Sequence, residues 1–90
     1  MNRYDFIISY DIANIKRLRK IAKLLEKEAI RIQFSIFLLP NSTKYELQTL
    51  LDNILKIYNE NEDDIRVYNI KNSGIKLASA INLEQPYNFL

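Results

Sequence analysis

Apolar positions recur along this chain at two different periods, and the places where the period changes mark its elements. Tyr4 to Asp11, read as Tyr-Asp-Phe-Ile-Ile-Ser-Tyr-Asp, is aromatic-rich with a period near two. It predicts a buried strand that delivers Asp11 to its carboxyl end. From Asn14 to Glu28 the period becomes helical: Ile15, Leu18, Ile21, Ala22, Leu25 and Ala29 project into an arc about 120° wide, a core-facing stripe. Lys16, Lys20, Lys23 and Lys27 line the opposite side, with Arg19 at its margin and Arg17 displaced round the cylinder. Ile30 to Leu39 is strongly β in propensity and predicts one long strand ended by the loop signal Pro40-Asn41-Ser42. If that strand is continuous, Ile30, Ile32, Phe34, Ile36 and Leu38 share one face, and Arg31, Gln33, Ser35 and Phe37 the other. Thr43 to Tyr58 predicts a second helix. Thr43 and Glu46 match a capping box, and Leu47, Leu50, Leu51, Ile54, Leu55 and Tyr58 form its apolar side. Asn59 to Asp64 is a polar, acidic loop. Ile65 to Ile70 alternates as a strand, with Ile65 and Val67 opposite Arg66, Tyr68 and Ile70. Lys71 to Gly74 holds the only glycine and reads as a turn or hinge. It leads into a strand over Ile75 to Ile81 and then Leu83 to Leu90, with Pro86 as an edge or turn residue.

Composition narrows the chemistry. Ninety residues make one domain, which buries roughly 60 to 65% of its unfolded surface, so dimerisation would add useful burial. With no Cys and no His, thiolate or imidazole zinc sites, a Cys nucleophile, a Ser-His-Asp triad and a disulfide framework are all excluded. Oxygen chemistry remains, and carboxylates suit a hard cation such as magnesium, which takes one or two of them together with water and substrate phosphate. The N-terminus has no signal-peptide pattern, and no apolar run approaches the ~18 residues of a membrane span. A cytoplasmic protein with no membrane partner is expected.

Net charge is only +2, so distribution matters more than the total. Lys16, Arg17, Arg19, Lys20, Lys23, Lys27 and Arg31 are seven of the thirteen basic residues, and they fall within sixteen positions that hold only Glu26 and Glu28 as acids. Glu60, Glu62, Asp63 and Asp64 lie elsewhere. Such segregation is the electrostatic footprint of a phosphate-binding surface. A solvated helix face explains the same lysines equally well. If they do meet nucleic acid, side chains on such a rail reach the backbone before any base edge, which implies binding without sequence reading. Asp11 also has two readings: a cap for the following turn or helix, or a functional carboxylate at a strand end.

Four ordered pieces carry a family resemblance: a strand ending Tyr10-Asp11-Ile12, a helix beginning Lys16-Arg17-Leu18-Arg19-Lys20, then Arg31-Ile-Gln-Phe-Ser-Ile-Phe37, and later Asp64-Ile-Arg-Val-Tyr68. In this order and at this chain length they resemble the CRISPR-associated Cas-two family, over nearly the whole chain. The resemblance implies an α+β, ferredoxin-like fold in the order strand, helix, strand, strand, helix, strand, over a single domain of residues 1–90. It also implies that Ile30 to Leu39 is split into a hairpin near Phe34-Ser35. Two protomers would pack sheet to sheet as a homodimer, with residues 75–90 as a terminal strand completing the partner's sheet and Gly74 as the hinge.

The same resemblance implies that Asp11 of both protomers meets across the two-fold axis and holds a magnesium ion for phosphodiester cleavage. Facing carboxylates repel unless a cation or proton lies between them, so that arrangement is physically coherent. Tyr10, Arg17, Arg19, Arg31, Ser35 and Phe37 correspond to positions the family associates with nuclease or phosphate contacts. Tyr10 and Phe37 can equally be packing residues, Arg31 a surface strand residue and Ser35 a turn former. The sequence departs from many members at Leu38, where they carry an acid. Three functions follow as expectations. The first is a duplex-DNA-binding bridge of the spacer-integration complex with the Cas-one integrase. The second is a magnesium-dependent endonuclease acting on single-stranded RNA or duplex DNA. The third is an unrelated toxin-like or regulatory ferredoxin-fold dimer, such as the virulence-associated D ribonucleases.

Overall fold

Strand β1 (Tyr4–Asp11) lies inside a four-stranded sheet of order β2-β3-β1-β4, antiparallel to both of its neighbours. The computed structural model describes residues 2–70. The other elements are α1 (Ile15–Glu28), β2 (Ile30–Gln33), β3 (Ile36–Ser42), α2 (Lys44–Leu55) and β4 (Asp64–Asn69). Because β3 is inserted between β1 and β2, the chain forms a split β-α-β unit, and the fold is α+β and ferredoxin-like. The expected hinge at Gly74, the strand over Ile75 to Ile81 and the segment Leu83 to Leu90 lie outside the described residues.

Alternation along β1 sends Phe6, Ile8 and Tyr10 toward the helices. They join Phe37 and Leu39 of β3, Ile21 and Leu25 of α1, and Leu50 and Ile54 of α2 in the core. Each fully buried Ile or Leu contributes about 1.5 to 3 kcal/mol. Ile7 and Leu38, paired in register, point to the other face and are also buried. Ile65 and Val67 pack against the core as the alternation of β4 requires.

The helix ends follow local chemistry. Asn14 caps α1 by accepting from the backbone N–H groups of Lys16 and Arg17, at 2.9 and 3.1 Å. Thr43 and Glu46 form the expected capping box on α2. Two stripe residues differ from expectation, since Ile15 and Leu55 are each more than half exposed. They sit at the first turn of α1 and at the last residue of α2. Helix α2 stops at Leu55 rather than Tyr58, where Ile57 and Tyr58 both donate to the Ile54 carbonyl.

Two β expectations are corrected. The continuous strand over Ile30 to Leu39 is broken at Phe34-Ser35, as the family resemblance implied. Ser35 adopts φ 70 and its carbonyl accepts from the Tyr10 N–H at 3.1 Å, while Phe34 projects into solvent. The split, with a register shift between Arg31 and Gln33, places Arg31 opposite Phe37. Conversely, Pro40-Asn41-Ser42 is not a loop but the end of β3. A register shift between Tyr4 and Phe6 makes this possible: Asn41 takes φ 47 and donates its N–H to the Asp5 carboxylate at 2.8 Å, and Pro40, which has no N–H, sits at the bulge.

Candidate functional site

Asp11 is the last residue of β1, exposed, with Asp64 of β4 as its cross-strand partner. Directly opposed residues of an antiparallel pair carry Cβ atoms about 5 Å apart, so two acidic residues lie side by side at this strand end. Asp64 is engaged by Arg66 at 2.9 Å. The Asp11 side chain makes no hydrogen bond or ion pair among the described residues, and the cap of α1 is Asn14. The capping alternative for Asp11 therefore fails on geometry.

The donor set at this strand end consists of carboxylate oxygens, which suits magnesium better than zinc or copper. Among the described residues no three acidic side chains converge as a self-contained cage. One Asp11 carboxylate with water and substrate phosphate still fits the modest protein share that magnesium takes.

The hairpin turn brings most of the other candidates to the same end of the sheet. Tyr10 and Phe37 are buried and stack with centroids 6.1 Å apart. The Arg31 guanidinium lies 4.8 Å above the Phe37 ring and donates to Glu26 at 2.9 Å. Burial raises the Tyr10 hydroxyl above its ordinary pKa, and the nearby Arg31 charge partly offsets this. Tyr10 and Phe37 thus belong to the core, and Ser35 forms the turn, its hydroxyl donating to the Phe34 carbonyl. The Arg31–Glu26 pair is partly solvated, the kind of contact worth at most about 1 kcal/mol, so an approaching phosphate can compete for the arginine.

Arg17 has a different setting. Its Nε donates to Asp63 Oδ2 at 2.9 Å, and one terminal nitrogen donates to Asp63 Oδ1 at 3.1 Å and to Glu62 at 2.8 Å. The Asp63 side chain is fully buried and also accepts from the N–H groups of Ala13 and Asn59, at 2.9 and 3.0 Å. Arg17, acting chiefly through hydrogen bonds and against the effect of burial, holds the Asp63 carboxyl down at about 2. The sequence does not single out Asp63, which reads there as one acid of a solvated loop. Its partner Arg17 is 46 positions away, and no local pattern signals the pairing.

Lys16, Lys20, Lys23 and Lys27 are exposed along α1, with Arg19 exposed beside them. Among the described residues none of these five makes an ion pair, in contrast to Arg3, Arg17, Arg31 and Arg66. No helix among the described residues is long and apolar enough to cross a membrane.

Comparison with known proteins agrees with this architecture. Residues 4–76 match the family model described as CRISPR associated protein Cas2. The chain is 37% identical over 90 residues to CRISPR-associated endoribonuclease Cas2 2 of Synechocystis sp., covering 96% of this chain and 97% of that one. The crystal structure of Streptococcus pyogenes Cas2 at pH 6.5 superposes with a TM-score of 0.64 at 30% identity, over 71% of this chain and 82% of that chain. A chain in a structure described as a partial Cas6-RT-Cas1–Cas2 complex gives a TM-score of 0.64 at 30% identity, over 90% of this chain and 91% of that chain.

Proposed function

This chain belongs to the CRISPR associated protein Cas2 family, and from that premise we propose that it works in CRISPR adaptation as a homodimer that bridges duplex DNA in a complex with Cas1. The observation that carries the reading is the row of exposed lysines on α1, whose charges are not taken up by acids among the described residues. A row of free cations on one helix face meets phosphates without reading bases. The structural likeness to a chain in a Cas1–Cas2 complex supports Cas1 as the partner.

A second reading, a magnesium-dependent endonuclease on RNA or DNA, is favoured by Asp11. An exposed carboxylate with no partner among the described residues, opposed in register by Asp64, is available for a ligand. Asp11 of the two copies would hold the ion, which when bound would polarise a phosphate oxygen and lower the pKa of a water. In that reading α1 holds the backbone of the nucleic acid. Arg31, whose pair with Glu26 is partly solvated, is the arginine best placed to change partners.

One preparation tests both readings. Labelled duplexes of unrelated sequence are titrated with the protein, with and without Cas1, and cleavage is assayed in magnesium and in chelator. We expect binding of all duplexes alike and integration that persists in Asp11→Asn. Asn keeps the size of Asp while removing the charge that binds the ion and that repels its counterpart. Metal-dependent cleavage abolished by Asp11→Asn would establish the second activity. Absence of duplex binding in every condition would overturn the bridge.

A further inference from the structure

Four donors converge on the Asp63 carboxylate, and they come from three separate segments. Ala13 belongs to the loop after β1, Arg17 to the first turn of α1, and Asn59 to the loop after α2. The Asp63 carbonyl also accepts from the Tyr58 hydroxyl at 2.8 Å, which tethers the far side of the same loop. Immediately after Asp63 the chain enters β4 with Asp64, the register partner of Asp11. Ala13 lies two residues beyond Asp11. The contacts therefore bracket the Asp11–Asp64 pair on both strands.

We propose that Asp63 is a positioning residue. Through Arg17 and the Ala13 N–H it holds the loop that follows β1, and so sets where Asp11 presents its carboxylate. The inference rests on the reading of Asp11 as a metal ligand. It also reassigns Arg17: that side chain serves the site from behind, by gripping Asp63, rather than by touching phosphate. The geometry argues for this directly. A guanidinium with Nε and one terminal nitrogen on a fully buried carboxylate, and with a second acid on that same terminal nitrogen, would have to give up a buried partner to reach a phosphate.

The chemistry of the clamp dictates the variants. A carboxylate offers two acceptor oxygens to these donors, whereas the Asn amide offers one, so Asp63→Asn cannot satisfy them all. Lysine keeps the charge of Arg17 but lacks the planar fork that spans both carboxylate oxygens. The full-length chain is therefore compared with Asp63→Asn, Arg17→Gln, Arg17→Lys and the double variant Arg17→Gln/Asp63→Asn. Three readouts are taken: amide exchange at Ile12 and Ala13, broadening of the Asp11 amide by added manganese(II), and the salt dependence of duplex binding. Exchange at Leu50, buried in the core on α2, serves as the folding control.

The expected result is faster exchange at Ala13 in every variant while Leu50 stays protected. Manganese affinity should be weaker by about tenfold, as for residues that orient a ligand from behind, and the double variant should be no worse than the worse single one. The salt slope should not change. Two results would overturn the proposal. One is native exchange at Ala13 in Asp63→Asn, or, should that variant not fold, in Arg17→Lys. The other is a salt slope reduced by about 0.9 in Arg17→Gln and restored in Arg17→Lys, the mark of a direct phosphate contact. Asp11→Asn separates the premise from the inference: manganese broadening that persists there defeats Asp11 as the ligand, while exchange at Ala13 still decides the clamp.

Discussion

Asp63 shows how much one carboxylate can organise when it is buried and fully paired. Removing Arg17 would strand a buried carboxylate without its counter-charge, whereas removing Asp63 would leave a guanidinium that solvent can still reach. The Arg3–Glu46 pair, at 3.1 Å, is by contrast exposed on both sides and weakened by solvent screening. The same pairing makes stability depend on pH in a definite direction. The folded-state pKa of Asp63, about 2, lies below the ordinary 3.8. Its contribution is therefore complete above the unfolded value and is lost as the pH falls through the folded one. Melting temperatures of the native chain and of Asp63→Asn, recorded from pH 6 down to below pH 2, should differ most at the neutral end and converge as Asp63 is protonated. A gap that stays constant across that range would show that the charge of Asp63 contributes nothing.

At the scale of the element, α1 keeps two jobs apart on one cylinder. Ile21 and Leu25 are buried, and Leu18 and Leu24 pack beside them, so the helix is held by its inner face and by its Asn14 cap. The lysine face carries none of that stability. Replacing Lys16, Lys20 and Lys23 together by Gln, a comparable helix former, should leave the melting temperature nearly unchanged. Duplex binding should weaken for all sequences alike, and the log-log salt slope should flatten by roughly 0.9 for each phosphate that the helix no longer neutralises. An unaltered slope would mean that the row is only a solvated face. The β2–β3 hairpin is the other instructive element, since its turn holds Arg31 opposite Phe37 and places Ser35 against Tyr10.

In the whole molecule, both helices cover one face of the sheet, while Ile7 and Leu38 point to the other. Ile30 and Phe34, at the edge strand and its turn, remain largely exposed. The segment 75–90 is rich in Ile, Leu, Ala, Tyr and Phe. If it completes the sheet of a second copy, its removal exposes a strand edge and apolar surface together. A chain ending at residue 74 should then sediment as a weaker dimer or a monomer and melt earlier than the intact chain. Full dimer stability in that truncation would defeat the proposed role of the tail.

The chain's local chemistry determined the elements and much of their facing. The cap at Asn14, the box at Thr43 and Glu46, the core stripe of α1 and the alternation of β1 and β4 all depend on residues a few positions apart, so they are legible from spacing alone. The ordered pieces around Tyr10-Asp11, Arg31 to Phe37 and Asp64 to Tyr68 also carried the family and its hairpin. Propensity by itself pointed to one unbroken strand, because nothing in Phe34-Ser35 marks a turn until Ser35 adopts φ 70 and accepts from Tyr10. Likewise, Pro40-Asn41-Ser42 could join β3 only because Asp5, 36 positions from Asn41, takes the Asn41 N–H. Asp11 read as a cap or as a functional carboxylate, and nothing near Arg17 in sequence named Asp63 as its partner. Those choices belonged to tertiary structure. A sequence states which donors and acceptors a residue owns, but a charge takes the partner that folding brings within hydrogen-bond reach, and for Arg17 that partner lies 46 positions away.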